Sequence, residues 1–335
     1  MSFRFGLIGC GEIGRLRAAA LTEASLPLTA VSDIDRRRAE DQAIPRGAAV
    51  ETDWRSLVAR ADVDAVIIST PPSLHAEMGI AALGAGKHVL CEKPLARNAE
   101  ESRRMLDAAA SSGRFLATGF NYRFYPSIVK ARELLDSGMI GELDHVRSYT
   151  GYSATDHNHP WLHDAGTMGG GSLRDNGIHL IDVTCHFLGE VAEVHGFASD
   201  GVWRFPGCED NGFVLLRNNQ GKVACLQASW TEWRGYRFEV EIYGSRGMIR
   251  ASCFPMITQL VWATERGGKT RRKTWYFPWT HLMEHLRSYR WVVVQSFLLE
   301  HHEFLRAIKG EPSAIASGLD GVRAIEIAQA AAFPK

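Results

Sequence analysis

The chain has no continuous apolar run of 18 residues, and that absence excludes a transmembrane helix from the expected architecture. It has no charge excess either: Lys plus Arg and Asp plus Glu number 38 each. A balanced surface gives no support to bulk nucleic-acid or membrane-surface binding. The six cysteines (Cys10, Cys91, Cys185, Cys208, Cys225 and Cys253) show no paired short spacing. Neither a disulfide framework nor a zinc site is expected from them; buried thiols in a reducing compartment are. The N-terminal MSFRFGLIGC has too short an apolar part for a signal peptide. No internal repeat or low-complexity segment is evident. The expectation is a cytoplasmic globular protein, and 335 residues with 45% apolar content suggest two domains with sizeable cores.

What is present changes character near residue 120. Before it, short apolar runs alternate with helical patterns. FRFGLIG, LTAVSD, DAVIIST (64–70), KHVLCE (87–92) and FLATGF read as strands, and EIGRLRAAALTEA, SLHAEMGIAALGAG and NAEESRRMLDAAASSG as helices. Strands alternating with helices argue for a doubly wound parallel sheet over residues 1–120. After it, PSIVKARELLDSGMIG reads as a helix. Period-two runs then follow from 143 to 262 (DHVRSYTGY, AEVHGFAS, NGFVLLRN, KVACLQASW, RFEVEIYG, GMIRAS), separated by turns such as NNQG and GSRG. Residues 121–335 are expected to form an α/β domain with a large, mostly antiparallel open sheet. The helical stretch 175–188 interrupts it, and 292–309 and 317–332 are its closing helices. The basic run RGGKTRRK (266–273) reads as a solvated hairpin tip. Eight of the nine tryptophans lie beyond residue 150, so this half carries the large aromatic surfaces.

The first chemical signal is GCGEIG, which places Gly9, Gly11 and Gly14 in the G-x-G-x-x-G spacing. Gly9 allows a tight turn, Gly11 lets backbone approach a pyrophosphate, and Gly14 permits close helix–strand packing. A strand precedes the motif and a helix, opened by Glu12 and Ile13, follows it, so the phosphates meet a helix N-terminus. Asp33 stands at the end of the second strand, where an acid accepts ribose hydroxyls. It would repel a 2′-phosphate, so NAD is the expected cofactor. Arg36, Arg37 and Arg38 can grip that phosphate instead, which leaves NADP open.

The second signal is CEKP (91–94), at the carboxyl end of a parallel strand, the edge where ligands bind in open α/β sheets. Lys93 is expected to point toward the cofactor cleft, and Pro94 biases Lys93 away from the right-handed helical region, with a cis bond possible. The third is GGGSLRDNGIHLID (169–182), with Asp175 and His179 four apart on one side of a helix. The glycines 169–171 and Gly177 are expected to leave room for a nicotinamide ring and a small polar substrate. His179 can take a hydroxyl proton, Asp175 can tune that imidazole or accept a second hydroxyl, and Lys93 can stabilise negative charge on the carbinol oxygen. An Asp N-cap and a satisfied helix histidine are the bland alternative.

Together GCGEIG, STPPSLHAEM, CEKP, GFNYRFYP and GGGSLRDNGIHLID resemble the glucose–fructose oxidoreductase, inositol dehydrogenase and MocA-like (Gfo/Idh/MocA) family over almost the whole chain. The resemblance implies a Rossmann domain followed by an open-sheet domain that often mediates homodimers or homotetramers. It implies a catalytic set of Lys93, Asp175 and His179. Thr70, Pro71, His75 and Glu92 are then expected beside the cofactor, with Arg123 also in contact with it, and Asn121 on the substrate side. It implies oxidation or reduction of a secondary hydroxyl of a sugar, cyclitol or sugar derivative with NAD(P).

Less specific is DHNHPWLHD (156–164), which offers His157, Asn158, His159, Trp161 and His163. Contact with a polyhydroxylated substrate, a plain loop and a metal site are all compatible with it. The expectation is substrate contact through His157, Asn158 and Trp161 and no metal, because hydride transfer in such a family needs none. Arg234 and Tyr236 are further candidates on the sheet side. Two other functions stay open: an enzyme that retains NAD and uses transient oxidation for glycosidic cleavage or elimination, and a non-catalytic cofactor-sensing protein. The first would turn over without net change at 340 nm; the presence of all three catalytic candidates argues against the second.

Overall fold

The structure, a computed structural model, describes residues 3–156, 160–233, 235–287 and 290–332. Contacts divide the chain into two compact units. One comprises residues up to Asn121 together with Arg287–Ile325, and the other Tyr122–Leu286 together with the chain from Glu326 on. The expected division left everything after residue 120 together; most of the C-terminal helical segment instead belongs with the first unit.

In the first unit, β1 (Phe5–Ile8), β2 (Leu28–Ser32), β3 (Ala49–Glu51), β4 (Ala65–Ile68), β5 (His88–Glu92) and β6 (Leu116–Gly119) form one parallel sheet in the order β3-β2-β1-β4-β5-β6. The runs FGLI and AVII are buried at every residue, as strands covered on both faces must be. Helices α1 (Glu12–Glu23), α2 (Arg36–Ala43), α3 (Trp54–Ala59), α4 (His75–Gly84) and α5 (Ala99–Ser112) connect them. Strand order reverses between β1 and β4, which opens a crevice at their carboxyl ends.

The second unit opens with α6 (Pro126–Asp136) and β7 (Leu143–Gly151), followed by α7 (Ala165–Met168) and α8 (Asn176–Leu188). Seven strands follow: β8 (Val191–Ser199), β9 (Asn211–Asn218), β10 (Val223–Ser229), β11 (Arg237–Gly244), β12 (Gly247–Cys253), β13 (Met256–Trp262) and β14 (Arg271–Tyr276). They join β7 in an eight-stranded sheet of order β14-β13-β12-β11-β7-β10-β9-β8. All neighbours are antiparallel except β7 and β10, which pair in parallel with Ser148 opposite Leu226. Helix α8 packs across β7, β10 and β11, and α6 across β12 and β13. The opposite face carries exposed Phe197, Phe213, Leu215 and Val223 on β8, β9 and β10. Arg271–Lys273 of the basic run lie inside β14, so only its first part belongs to the turn.

Three helices close the chain: α9 (Pro278–Arg287), α10 (Arg290–Ile308) and α11 (Gly318–Ala332). Within the first unit, Val294 and Phe297 of α10 pack with Leu16 and Ala20 of α1 in one apolar cluster. Among the described residues no helix is long and apolar enough to cross a membrane.

Candidate active site

The Gly-rich turn leaves β1 with Gly9 at φ +89°, a conformation that disfavours a side chain, and a Cβ on Gly14 would collide with the Gly9 carbonyl. At Gly11 the space is open. Gly11 is also the N-cap of α1, and no side chain caps it, so the first N–H groups of the helix face that space. Glu12 is paired with Arg290 at 3.2 Å, and Ile13 is 40% exposed at the helix mouth. Asp33 holds this turn from below: its carboxylate accepts from Cys10 N at 2.6 Å and from Asp35 N at 2.8 Å. Asp35 caps α2, while Arg36 pairs with Glu40 at 2.7 Å and Arg38 with Asp35 at 3.3 Å. Two of the three arginines are thus engaged on their own helix. An open helix N-terminus with an acid beside it fits a dinucleotide with a free ribose diol.

The loops after β4 and β5 are tied together by His75. Its Nδ1 lies 2.9 Å from the Pro94 carbonyl and its Nε2 2.8 Å from the Thr70 carbonyl. Burial lowers the His75 pKa, against the opposing effect of these hydrogen bonds and of Glu92. Thr70 and Pro71 are half-buried at the end of β4, and Lys93 is half-buried at the end of β5, with a cis bond to Pro94. Glu92 is buried and bound to Arg17 of α1, whose guanidinium also pairs with Glu300 of α10. Asn121 is buried, with its amide donating to Ser296 Oγ at 2.8 Å.

In the second unit Asp175 stands at the N-cap of α8, yet its carboxylate makes no capping hydrogen bond. It accepts instead from the Tyr152 hydroxyl and, at 3.3 Å, from Trp230 Nε1. His179 is buried one turn on, with the Tyr122 ring 4.4 Å away, centroid to centroid. Arg123 forms a two-pronged ion pair with Asp182, the next turn of the same helix, with one arm at 2.8 Å.

The glycines ahead of α8 have a different reason from the expected one. Gly169 and Gly170 take positive φ, and a Cβ on Gly171 would strike the Glu209 backbone. The buried Glu209 carboxylate accepts from Gly171 N and Leu173 N, both at 2.8 Å. A Cβ on Gly177 would meet Ser172 and Ala228 of β10. The room expected for a ring and a substrate at Gly171 and Gly177 is therefore filled by protein.

Trp161 lies on the turn Pro160–His163, where the His163 ring stacks on Phe205 at 4.2 Å and meets the edge of Trp230. His157, Asn158, His159 and Arg234 lie outside the described residues. Sequence reasoning missed Tyr152, Trp230, Arg17 and Glu300. A tyrosine directly after a strand and a tryptophan at the end of another carry no spacing signal, and the Arg17–Glu300 pair spans 283 positions.

Residues 3–120 match the model of an oxidoreductase family with an NAD-binding Rossmann fold, and residues 128–250 the GFO/IDH/MocA C-terminal domain. The chain is 32% identical over 336 residues to the inositol 2-dehydrogenase of Rhizobium meliloti (strain 1021), covering 99% of this chain and 96% of that protein. It is 32% identical to the myo-inositol 2-dehydrogenase of Thermotoga maritima, covering 98% and 95%. A solved levoglucosan dehydrogenase in complex with NADH superposes with a TM-score of 0.86 at 26% identity, over 98% of this chain and 96% of that one. The chain is an NAD-binding oxidoreductase, and it belongs to the Gfo/Idh/MocA family.

Proposed function

We propose that this protein transfers a hydride between nicotinamide and a secondary hydroxyl or ketone of a cyclitol, sugar or sugar derivative. The observation that carries the reading is Asp175: a carboxylate at a helix N-cap, turned away from the backbone and held by two side-chain donors one turn from a buried histidine. Full-length likeness to inositol 2-dehydrogenases supports the substrate class. NAD, when bound, supplies the hydride acceptor or donor. In the oxidative direction His179 takes the hydroxyl proton. Lys93 stabilises negative charge growing on the carbinol oxygen. Asp175 tunes the imidazole and accepts a neighbouring substrate hydroxyl. Gly9, Gly11 and Gly14 with the α1 N-terminus hold the pyrophosphate, Asp33 the ribose, and His75 braces the Thr70 and Pro94 loops. Trp161 offers a flat face to the substrate ring.

A panel of inositols, sugars and anhydrosugars with NAD and NADP, read at 340 nm, tests this. Product formation without net absorbance change would move the protein to the retained-cofactor class, and no product with any member would overturn the reading.

We also propose that the chain works as a homodimer or homotetramer in the cytoplasm. Phe197 stands opposite Phe213 on the uncovered face of the second sheet, with Leu215 two residues along, and these side chains are 78%, 46% and 60% exposed. Apolar area of this kind is stabilised by covering it. All six cysteines are free thiols, which suits a reducing compartment. A monomeric mass at micromolar concentration would overturn the oligomer.

A further inference from the structure

We propose that Tyr152 is a positioning residue for the reaction: its phenol, with the Trp230 indole, aims the Asp175 carboxylate at substrate. The inference rests on the hydride-transfer reading above, and it concerns a residue that no sequence motif marks.

Three observations converge on it. First, an aspartate at a helix N-cap ordinarily turns its oxygens onto the backbone N–H groups of the first turn. Asp175 does not. Its Oδ2 takes the Tyr152 hydroxyl and the Trp230 Nε1 instead. Two donors on one oxygen fix both the plane of the carboxylate and the direction of its other oxygen.

Second, the donors are themselves fixed. Tyr152 is 2% exposed and Trp230 fully buried. Trp203 Nε1 donates to the Trp230 carbonyl at 2.9 Å, and the His163 ring closes on the edge of the Trp230 indole. The turn carrying Trp161 and His163 therefore bears on Asp175 through Trp230. Burial, reinforced by the Asp175 charge, pushes the Tyr152 phenol far above its usual value, so Tyr152 keeps its proton and donates at any working pH.

Third, the same aromatic wall reaches the histidine. The Tyr236 ring lies 6.1 Å from Tyr152, and its hydroxyl is 2.8 Å from that of Tyr122. The Tyr122 ring in turn lies against His179 at 4.4 Å. Tyr152, Tyr236 and Tyr122 form a continuous belt whose two ends hold the acid and the base. A charge-assisted bond from a buried phenol is among the stronger ways to set a carboxylate's direction and basicity.

The test is Tyr152→Phe, which keeps the ring and removes only the hydroxyl, read by steady-state kinetics across pH 6–10 and by the ¹³C titration of the Asp175 carboxyl, assigned with Asp175→Asn. kcat/KM should fall roughly ten- to hundredfold with NAD affinity unchanged. The acid limb of the rate profile should move to higher pH, because a carboxylate that loses a donor becomes more basic. In an Asp175→Asn background the same substitution should cost almost nothing further. Trp230→Phe should move the titration in the same direction by less. An unchanged Asp175 titration in Tyr152→Phe, or a loss that adds in full to that of Asp175→Asn, overturns the inference. If the wild type oxidises no polyol or sugar, the functional reading fails, while the carboxyl titration still decides whether Tyr152 governs Asp175.

Discussion

Arg17 Nε donates to Glu92 Oε1 at 2.7 Å, so the helix that begins at the Gly-rich turn is locked to the residue immediately before Lys93. Arg17 is fully buried, its second arm pairs with the equally buried Glu300, and its guanidinium lies 3.7 Å over the Phe297 ring. Removing the cation leaves two carboxylates buried without it. Arg17→Met should destabilise the first unit by about 3–5 kcal/mol, measured as a lowered urea midpoint at unchanged slope. Glu300→Gln, which leaves the Arg17–Glu92 pair intact, should cost clearly less. Equal effects of the two would show that Glu92 is not held by Arg17.

The assigned roles of His179 and Lys93 separate chemistry from cofactor binding. His179→Ala should lower turnover by about 10²–10⁴-fold while NAD affinity, titrated by fluorescence, stays near wild type. Lys93→Met keeps much of the side-chain volume and should behave alike. Near-wild-type turnover in His179→Ala would make the histidine a packing residue under Tyr122.

The proposed role of Asp33 is to set the cofactor preference. Its carboxylate is already bonded to the Cys10 and Asp35 N–H groups, which fixes it beside the Gly-rich turn. Asp33→Ser should relax the preference from NAD toward NADP, with Arg37 nearby to meet the added phosphate. Because the carboxylate also braces the Gly-rich turn, NAD binding should weaken in the same variant. Tighter binding of NADP than NAD by the wild type would overturn the assignment.

Stability should fall on mild acidification because of buried histidines. Burial, followed by the Arg17 charge, holds His301 well below its usual pKa, and burial also lowers His75. Each is neutral in the fold but titrates near 6.5 in the unfolded chain. Below about pH 6.5 the unfolded state binds protons that the folded state does not, so stability rises with pH and is lost as pH falls. Each group contributes at most about 1.4 kcal/mol per pH unit. His301→Leu should flatten the slope of unfolding free energy between about pH 6.5 and 5.5, followed by urea melts at each pH. An unchanged slope would place the proton uptake elsewhere.

Much of the fold was legible because its signals are local. Uninterrupted apolar runs gave the parallel strands, alternation gave β9 through β12, and the glycine spacing gave the turn into α1. The short β3, with no fully buried residue, and α3, with two, carried too little pattern to be read. The segment Arg287–Ile325 was misplaced because helical periodicity says which face is apolar but not which core it meets. At the site, Lys93, Asp175 and His179 stood out by motif. Asn121 and Arg123 were singled out only by the family resemblance, and the structure pairs them with Ser296 and Asp182. The glycines of 169–177 stand out in the sequence, but their neighbours, Glu209 against Gly171 and Ala228 against Gly177, are brought there only by folding.

The place of β7 in the second sheet has a consequence for how the protein is made. It is the first strand of that sheet to leave the ribosome, yet it ends in the middle, flanked by β10 and β11. On the β11 side, Thr150 Oγ1 donates to the Arg237 carbonyl, 87 residues downstream. Both edges of β7 are bare until β10 has been synthesised, and one stays bare until β11 follows. The second unit must therefore assemble late and through distant pairings, the slow kind. A chain that stalls between residues 151 and 237 presents an open strand to its neighbours, and chaperone demand during synthesis should concentrate in that window.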